Sequence, residues 1–364
     1  MMEAGTEAAH PKNIVDEKLG TLPAWDLTDL YPSPDSSELE ADLVRVEKEA
    51  ISFKEKYAGK LHDLSGDDLK NSIATFENTQ EIMGKVMSYA YLVYAGNMSD
   101  PEVGKFFQSM QERSTSISTH ILFFTLELNN LDEGDLQDKI KNSSLSKYAP
   151  WLRDLRAQKD HQLSDDLERL LHEKSVSGRS AWVRLFDETM ASLRFPYKGE
   201  DLSSAQILNK LSDRDPEARK EAAQSLGRVL GQNQRLFAHI TNTLAKDKEV
   251  EDQWRDFQRP VSSRNLANVV EDEVVDALVS SVSESSEDLA HRYYKLKAKW
   301  FGVEQLPYWD RNAPLPDDDN SIIKWDDACE TVLTAYAGFS PKLAEVGQKF
   351  FDNPWIDAPV RPGK

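Results

Sequence analysis

Apolar residues in this chain recur at steps of three and four over long stretches, and that period constrains the fold more than any other feature. Leu39, Leu43, Val46, Ala50, Phe53 and Tyr57 fall on one stripe of a 3.6-residue helix, which predicts a helix ending near Gly59. Asp35 and Ser37 each precede a Glu by three residues (Glu38 and Glu40), the spacing of a capping box at its start. Leu69, Ile73 and Phe76, then Ile82, Val86, Tyr89 and Val93, carry a second helical stretch to Gly96. Asp100-Pro101 reads as an N-cap followed by proline at the first helical position, where its missing N–H costs nothing. Ser164 opens a short helix. Asp215-Pro216 repeats the Asp-Pro start of a helix running toward Lys246.

One segment breaks this rhythm. Met190 to Tyr197 alternates weakly and ends at Lys198-Gly199, which predicts a short strand or hairpin arm. Further helices are expected over 269–282, 284–301, 321–336 and 341–351, with a Pro-rich extended loop over 303–319. No fixed repeat period is present. The expected class is mainly α, a multi-helix architecture with at most a short β-hairpin. Residues 1–20 are polar and aperiodic and are expected to form a disordered tail. A boundary near 200–210 divides a helical domain (21–205) from a second domain (206–364).

The chain has 364 residues, 39% hydrophobic and 29% charged, enough apolar material for a packed core. Its formal net charge is −19, from 63 acidic and 44 basic residues. Such a surface repels phosphate backbones and anionic headgroups, so nucleic acid and membrane surfaces are not expected partners. No run approaches the ~20 apolar residues of a membrane span, and the first twenty residues lack the pattern of a secretory signal. With a single cysteine, Cys329, an internal disulfide is excluded and a reducing, cytoplasmic setting is expected. Cys329 itself reads as a small core residue.

No chemistry-bearing constellation stands out, and no residue is assigned as catalytic, cofactor-binding or metal-ligating. The seven histidines are His10, His62, His120, His161, His172, His239 and His291, and no two stand at i and i+4. His172-Glu173 begins like a zinc helix, but Val176 stands where the second imidazole would be required. One imidazole cannot hold a catalytic zinc, which takes about three protein ligands, so His172 reads as exposed on an amphipathic helix. Asp317-Asp318-Asp319-Asn320 lacks the register of a calcium loop, with Lys324 where the glycine belongs. Phosphate loops and nucleophile elbows are missing too. The stretch His291 to Trp300 reads as an amphipathic helix, with Tyr293, Leu296 and Trp300 inward and Arg292, Lys295 and Lys299 outward. Core packing is the expected fate of Tyr293, Tyr308 and Trp309.

Several stretches carry a resemblance. Leu22-Pro23-Ala24-Trp25-Asp26-Leu27-Thr28-Asp29-Leu30-Tyr31 resembles the W-D-L-x-D-L-Y opening of oligoendopeptidase F proteins, which are thimet-oligopeptidase-like zinc metallopeptidases. Asp213 to Ala223, Arg259 to Asn268, His291 to Trp300 with Leu306 to Pro316, and Trp355-Ile356-Asp357 with Arg361, Gly363 and Lys364 are similar to further stretches of that family, in the same order. The resemblance implies a mostly helical, bowl-shaped fold whose cleft admits short peptides. It also implies an H-E-x-x-H helix binding Zn2+, which activates water for attack on the peptide. In the family that helix follows the R-x-G-K stretch on which this chain ends. The expectation is therefore an amino-terminal, cleft-forming part, incomplete at its carboxy-terminal side, inactive alone and without bound zinc, whose helices past Asp215 leave apolar faces uncovered. The alternative is a non-catalytic helical interaction protein with a closed core.

Overall fold

A computed structural model of the chain describes residues 14–141, 144–316 and 321–360. The architecture is mainly α, as the periodicity predicts. The helices are α1 (Ser37–Tyr57), α2 (Gly66–Gly96), α3 (Pro101–Asn130), α4 (Glu133–Lys141), α5 (Ala149–Arg156), α6 (Asp165–Lys174), α7 (Arg179–Ser192), α8 (Ser204–Lys210), α9 (Pro216–Gln232), α10 (Gln234–Trp254), α11 (Ser262–Ala267), α12 (Asp272–Ser286), α13 (Arg292–Trp300), α14 (Trp325–Phe339) and α15 (Pro341–Asp352). Besides short 3-10 turns there are two antiparallel hairpins: β1 (Ile14–Asp16) with β2 (Gly20–Leu22), and β3 (Phe195–Tyr197) with β4 (Glu200–Leu202).

The first hairpin lies where the tail was expected. Residues 14–22 form a hairpin there, in which Asp16 Oδ1 accepts from the backbone N–H of Lys18 and Leu19 at 2.8 Å and shapes the turn. The part of the expected tail before residue 14 lies outside the described residues, as do the acidic cluster 317–320 and the terminal residues 361–364.

Helix starts follow the chemistry read from the sequence, with one shift. At α3, Asp100 Oδ1 accepts from Glu102 N at 2.9 Å, and at α9 Asp215 Oδ1 accepts from Glu217 N at 3.0 Å. At α1 the cap is Ser36, whose Oγ takes the Leu39 N–H at 3.3 Å. The expected Asp35 and Ser37 boxes do not form. The helix expected from Pro216 to about Lys246 breaks at Asn233, whose side chain donates to the Val229 carbonyl at 2.9 Å and competes with the backbone ladder. The helix expected from Val269 starts at Asp272, because Val269 sits at φ 54, where a helix cannot pass. The two helices expected over 269–301 are joined instead by a π turn at Glu287–His291. In the second hairpin, Lys198 (φ 49) and Gly199 (φ 86) are both left-handed, the requirement of a two-residue type I′ turn.

The fold divides into two compact units, each assembled from separated stretches. The first takes residues up to Leu43, Lys85–Met110 and Asp317 onward. Its core centres on Tyr31, Leu39, Leu43, Val86, Tyr89, Ala90 and Tyr94. Tyr31 meets Tyr89 edge-on at 5.4 Å, its hydroxyl donates to Asp42 at 2.8 Å, and Lys85 Nζ lies 4.3 Å over its ring. The stretches resembling the family's opening and its Trp-Ile-Asp signpost are joined here. Asp26 N donates to Pro354 O, and Ala358 N to Pro23 O, both at 2.9 Å.

The second unit comprises Val44–Gly84 and Gln111–Pro316. Phe53, Phe76, Phe123, Phe124 and Trp151 form its aromatic core, with ring centres 5.0–6.4 Å apart along the chain of contacts. A smaller cluster packs β3, β4 and α8 on α9 through Phe195, Leu202, Ile207, Ala218, Ala222 and Val229. Beyond Ile240, the buried apolar side chains among the described residues are only Ala298, Ala313 and Pro359. Many valines, leucines and aromatics of that region are exposed, and the rest are half-buried.

Candidate functional site

The most heavily engineered polar feature of the second unit is a clamp on the loop Tyr308–Ala313. The Asp215–Pro216 start places Arg219 one turn into α9, with 0% of its surface exposed. Its Nε donates to Asp310 Oδ1 at 2.8 Å, and its Nη1 donates to the Asp213 and Arg214 carbonyls at 2.6 and 2.8 Å. Lys297 of α13 is 2% exposed, and its Nζ donates to the Arg311 and Ala313 carbonyls at 2.8 and 2.7 Å. Phe301 lies within 6 Å of both cations. Buried cations persist only when carbonyls or carboxylates replace their water, so both helices fix the loop. Tyr308, 70% exposed, is held out on it with its ring edge-on to Trp309 at 4.9 Å.

This reverses the reading of His291 to Trp300. Lys297, read as flanking the apolar face, is the buried residue, while Tyr293, Leu296 and Trp300 are exposed. The period was read correctly and the inward face was not, because the carbonyls that solvate Lys297 come from a loop fourteen and sixteen residues away. Tyr293 and Tyr308 are therefore not core residues, and Trp309 is half-buried. The uncovered apolar faces expected after Asp215 are present. Val274, Leu278, Val282, Leu289, Tyr293, Leu296 and Trp300 are exposed along α12, the π turn and α13. In the other unit Val332, Tyr336, Phe339, Leu343, Val346 and Phe350 are exposed on α14 and α15.

The second unit also contains a cavity of ≈ 910 Å3 lined by the carboxy-terminal turns of α3, by α5, α10 and α11, and by His161, Gln162, Glu168 and Phe257. Glu168 and Arg255 form a two-pronged ion pair in its wall at 2.6 and 3.0 Å. Burial alone would raise the Glu168 pKa; the Arg255 hydrogen bonds and the Leu163 N–H outweigh it and hold the carboxyl below its usual range. His161 stacks on Phe257 with ring centres 3.8 Å apart.

The other residues weighed on the sequence fall apart in space. His172 is half-buried rather than exposed, its Nε2 2.6 Å from Ser118 Oγ. Cys329 is half-buried rather than core, and burial pushes its thiol pKa up, which is the opposite of an activated nucleophile. Among the described residues no three His, Cys, Asp or Glu side chains are placed to hold a metal ion. The described side chains thus do not fit a zinc site. No helix among them is long and apolar enough to cross a membrane.

Comparison with known proteins bears on this arrangement. A family model described as Oligopeptidase F matches residues 127–195. Oligopeptidase PepF of Bacillus subtilis is 26% identical over 93% of this chain and 51% of its own length. Group B oligopeptidase PepB of Streptococcus agalactiae is 28% identical over 93% of this chain and 57% of its own. The chain thus spans about half the length of the curated relatives it matches. Among solved structures, oligoendopeptidase-F from Enterococcus faecium superposes with a TM-score of 0.70 at 20% identity, covering 87% of this chain and 66% of that one. Sequence motifs in order, a mainly helical fold and matches along nearly the whole chain agree in one direction: the chain is similar to oligoendopeptidase F proteins and shares their fold.

Proposed function

We propose that this chain is the amino-terminal, cleft-forming part of a zinc-dependent endopeptidase that hydrolyses short peptides in the cytoplasm. The observation that carries this reading is the match to oligopeptidases over 93% of the chain but only 51–57% of their length. The metal would be bound by residues other than those described here, which offer no three-ligand group. What this chain supplies is wall: the clamped loop displaying Tyr308 and the exposed apolar faces of α12 and α13. Those faces also weigh against a self-contained interaction protein, which would close its core.

The reading is tested on the purified 364-residue chain. Metal analysis after dialysis should find no stoichiometric zinc, and a fluorogenic short peptide should not be turned over with zinc added. One tightly held zinc together with turnover would overturn it.

A further inference from the structure

The stretch from Asp272 to Trp300 is helical throughout, with α12 and α13 joined by the π turn at Glu287–His291. Every residue from Asp276 to Glu284 is exposed, so over two turns of α12 have no buried side among the described residues. Those turns are not built from strong helix formers. Val274, Val279 and Val282 are β-branched, which lowers helix propensity, and each is more than half exposed, as is Leu278. Helices of this length draw most of their stability in water from a covered apolar face. The described fold does not supply that cover.

The charges along the same stretch say what fits it. Every charged residue from Glu271 to Asp288 is acidic, and every one from Arg292 to Trp300 is basic. Arg259 takes up Asp272 and Asp276, and Lys297 is turned inward onto loop carbonyls. Among the described residues, Glu284, Glu287 and Asp288 have no ion pair, and neither have Arg292, Lys295 and Lys299. A second copy of the same helix, laid antiparallel, brings a basic half to the acidic one and an acidic half to the basic one. A parallel copy would set like charge on like. With the two-fold axis between Glu287 and Asp288, Val282 comes beside Tyr293 of the second copy, Val279 beside Leu296, and Glu284 beside Arg292. Apolar contacts flanked by opposite charges are the pattern of paired helices. The net charge of −19 opposes association elsewhere on the surface. We propose that the 364-residue chain forms a two-fold dimer through antiparallel pairing of Asp272–Trp300. The dimer requires neither zinc nor peptide hydrolysis, so it stands apart from the function proposed above.

Sedimentation equilibrium of the intact 364-residue chain tests this. The mass should rise with concentration from 41.3 kDa to twice that value and level off there. R292E/K295E/K299E, which makes the basic half acidic, should weaken the dimer at least tenfold. E273K/E284K/E287K, which reverses the other half, should do the same, and an equimolar mixture of the two variants should regain association. The changed side chains are all exposed, so helical circular dichroism should match that of the parent. If either variant loses it, Leu278→Glu, which sets a charge in the apolar contact, is read in its place and should weaken the dimer equally. A parent that stays monomeric, aggregates that pass the dimer without levelling off, folded variants that dimerise as well as the parent, or a mixture that stays apart would overturn the proposal.

Discussion

At the scale of single residues, the structure sets up contrasts between polar groups that are met and polar groups that are not. Arg219 and Asp310 are a buried pair, and truncating one partner strands the other. Arg219→Met should cost about 3–5 kcal/mol in denaturant unfolding, and the double variant with Asp310→Leu should recover much of it. A double variant no better than the single one would mean that the carbonyls of Asp213 and Arg214, not Asp310, account for the buried charge. Tyr89 is the opposite case. Its ring packs on Tyr31, but its hydroxyl is buried without a partner. Tyr89→Phe should raise stability by about 1 kcal/mol. Burial pushes the Tyr89 pKa from 10.0 up to about 12, with the nearby Asp35 adding to the shift. A raised pKa means the folded state keeps its proton longer, so its contribution is complete below pH 10.0 and is lost as pH rises toward about 12. The advantage of Tyr89→Phe over the parent should therefore widen across that window in unfolding curves.

At the scale of elements, the starts of helices were legible because capping is local chemistry. Asp-Pro pairs set α3 and α9 as read, and Asp215→Ala should cost about 1 kcal/mol, measurable as a shifted denaturant midpoint with an unchanged slope. The breaks were less legible. The apolar stripe continues across Asn233, so periodicity joins α9 to α10, and only the side-chain bond to Val229 shows why the ladder stops there. Val269 illustrates a second limit. Its apolar character extends the stripe of α12, whereas the left-handed backbone it adopts is imposed by the close of α11, where Val270 N reaches back to the Asn265 carbonyl.

At the scale of the molecule, what distinguishes this chain is how few of its later apolar residues are covered. Phe339 is 84% exposed, and it is one of many. Exposed apolar faces of this kind bind hydrophobic dyes and promote self-association. The chain should therefore enhance anilinonaphthalene sulfonate fluorescence while keeping its near-ultraviolet circular dichroism, and replacing Leu278, Leu289 and Trp300 with polar residues should reduce the signal without loss of helix. A dye signal unaffected by those changes would assign it to another surface.

The sequence by itself determined the helical class, most helix starts and the resemblance to oligoendopeptidase F proteins, because period, caps and short motifs are written in neighbouring residues. It also led to assigning no catalytic or metal-binding residue, on the spacing of its histidines. Only the tertiary structure decided which face of 291–300 turns inward, that Arg219 and Lys297 are buried cations, and that Glu168 and Arg255 pair in a cavity wall. The physical reason is common to all three. A polar group's burial depends on partners that arrive from distant parts of the chain, and no local pattern encodes which carbonyl or carboxylate will be there.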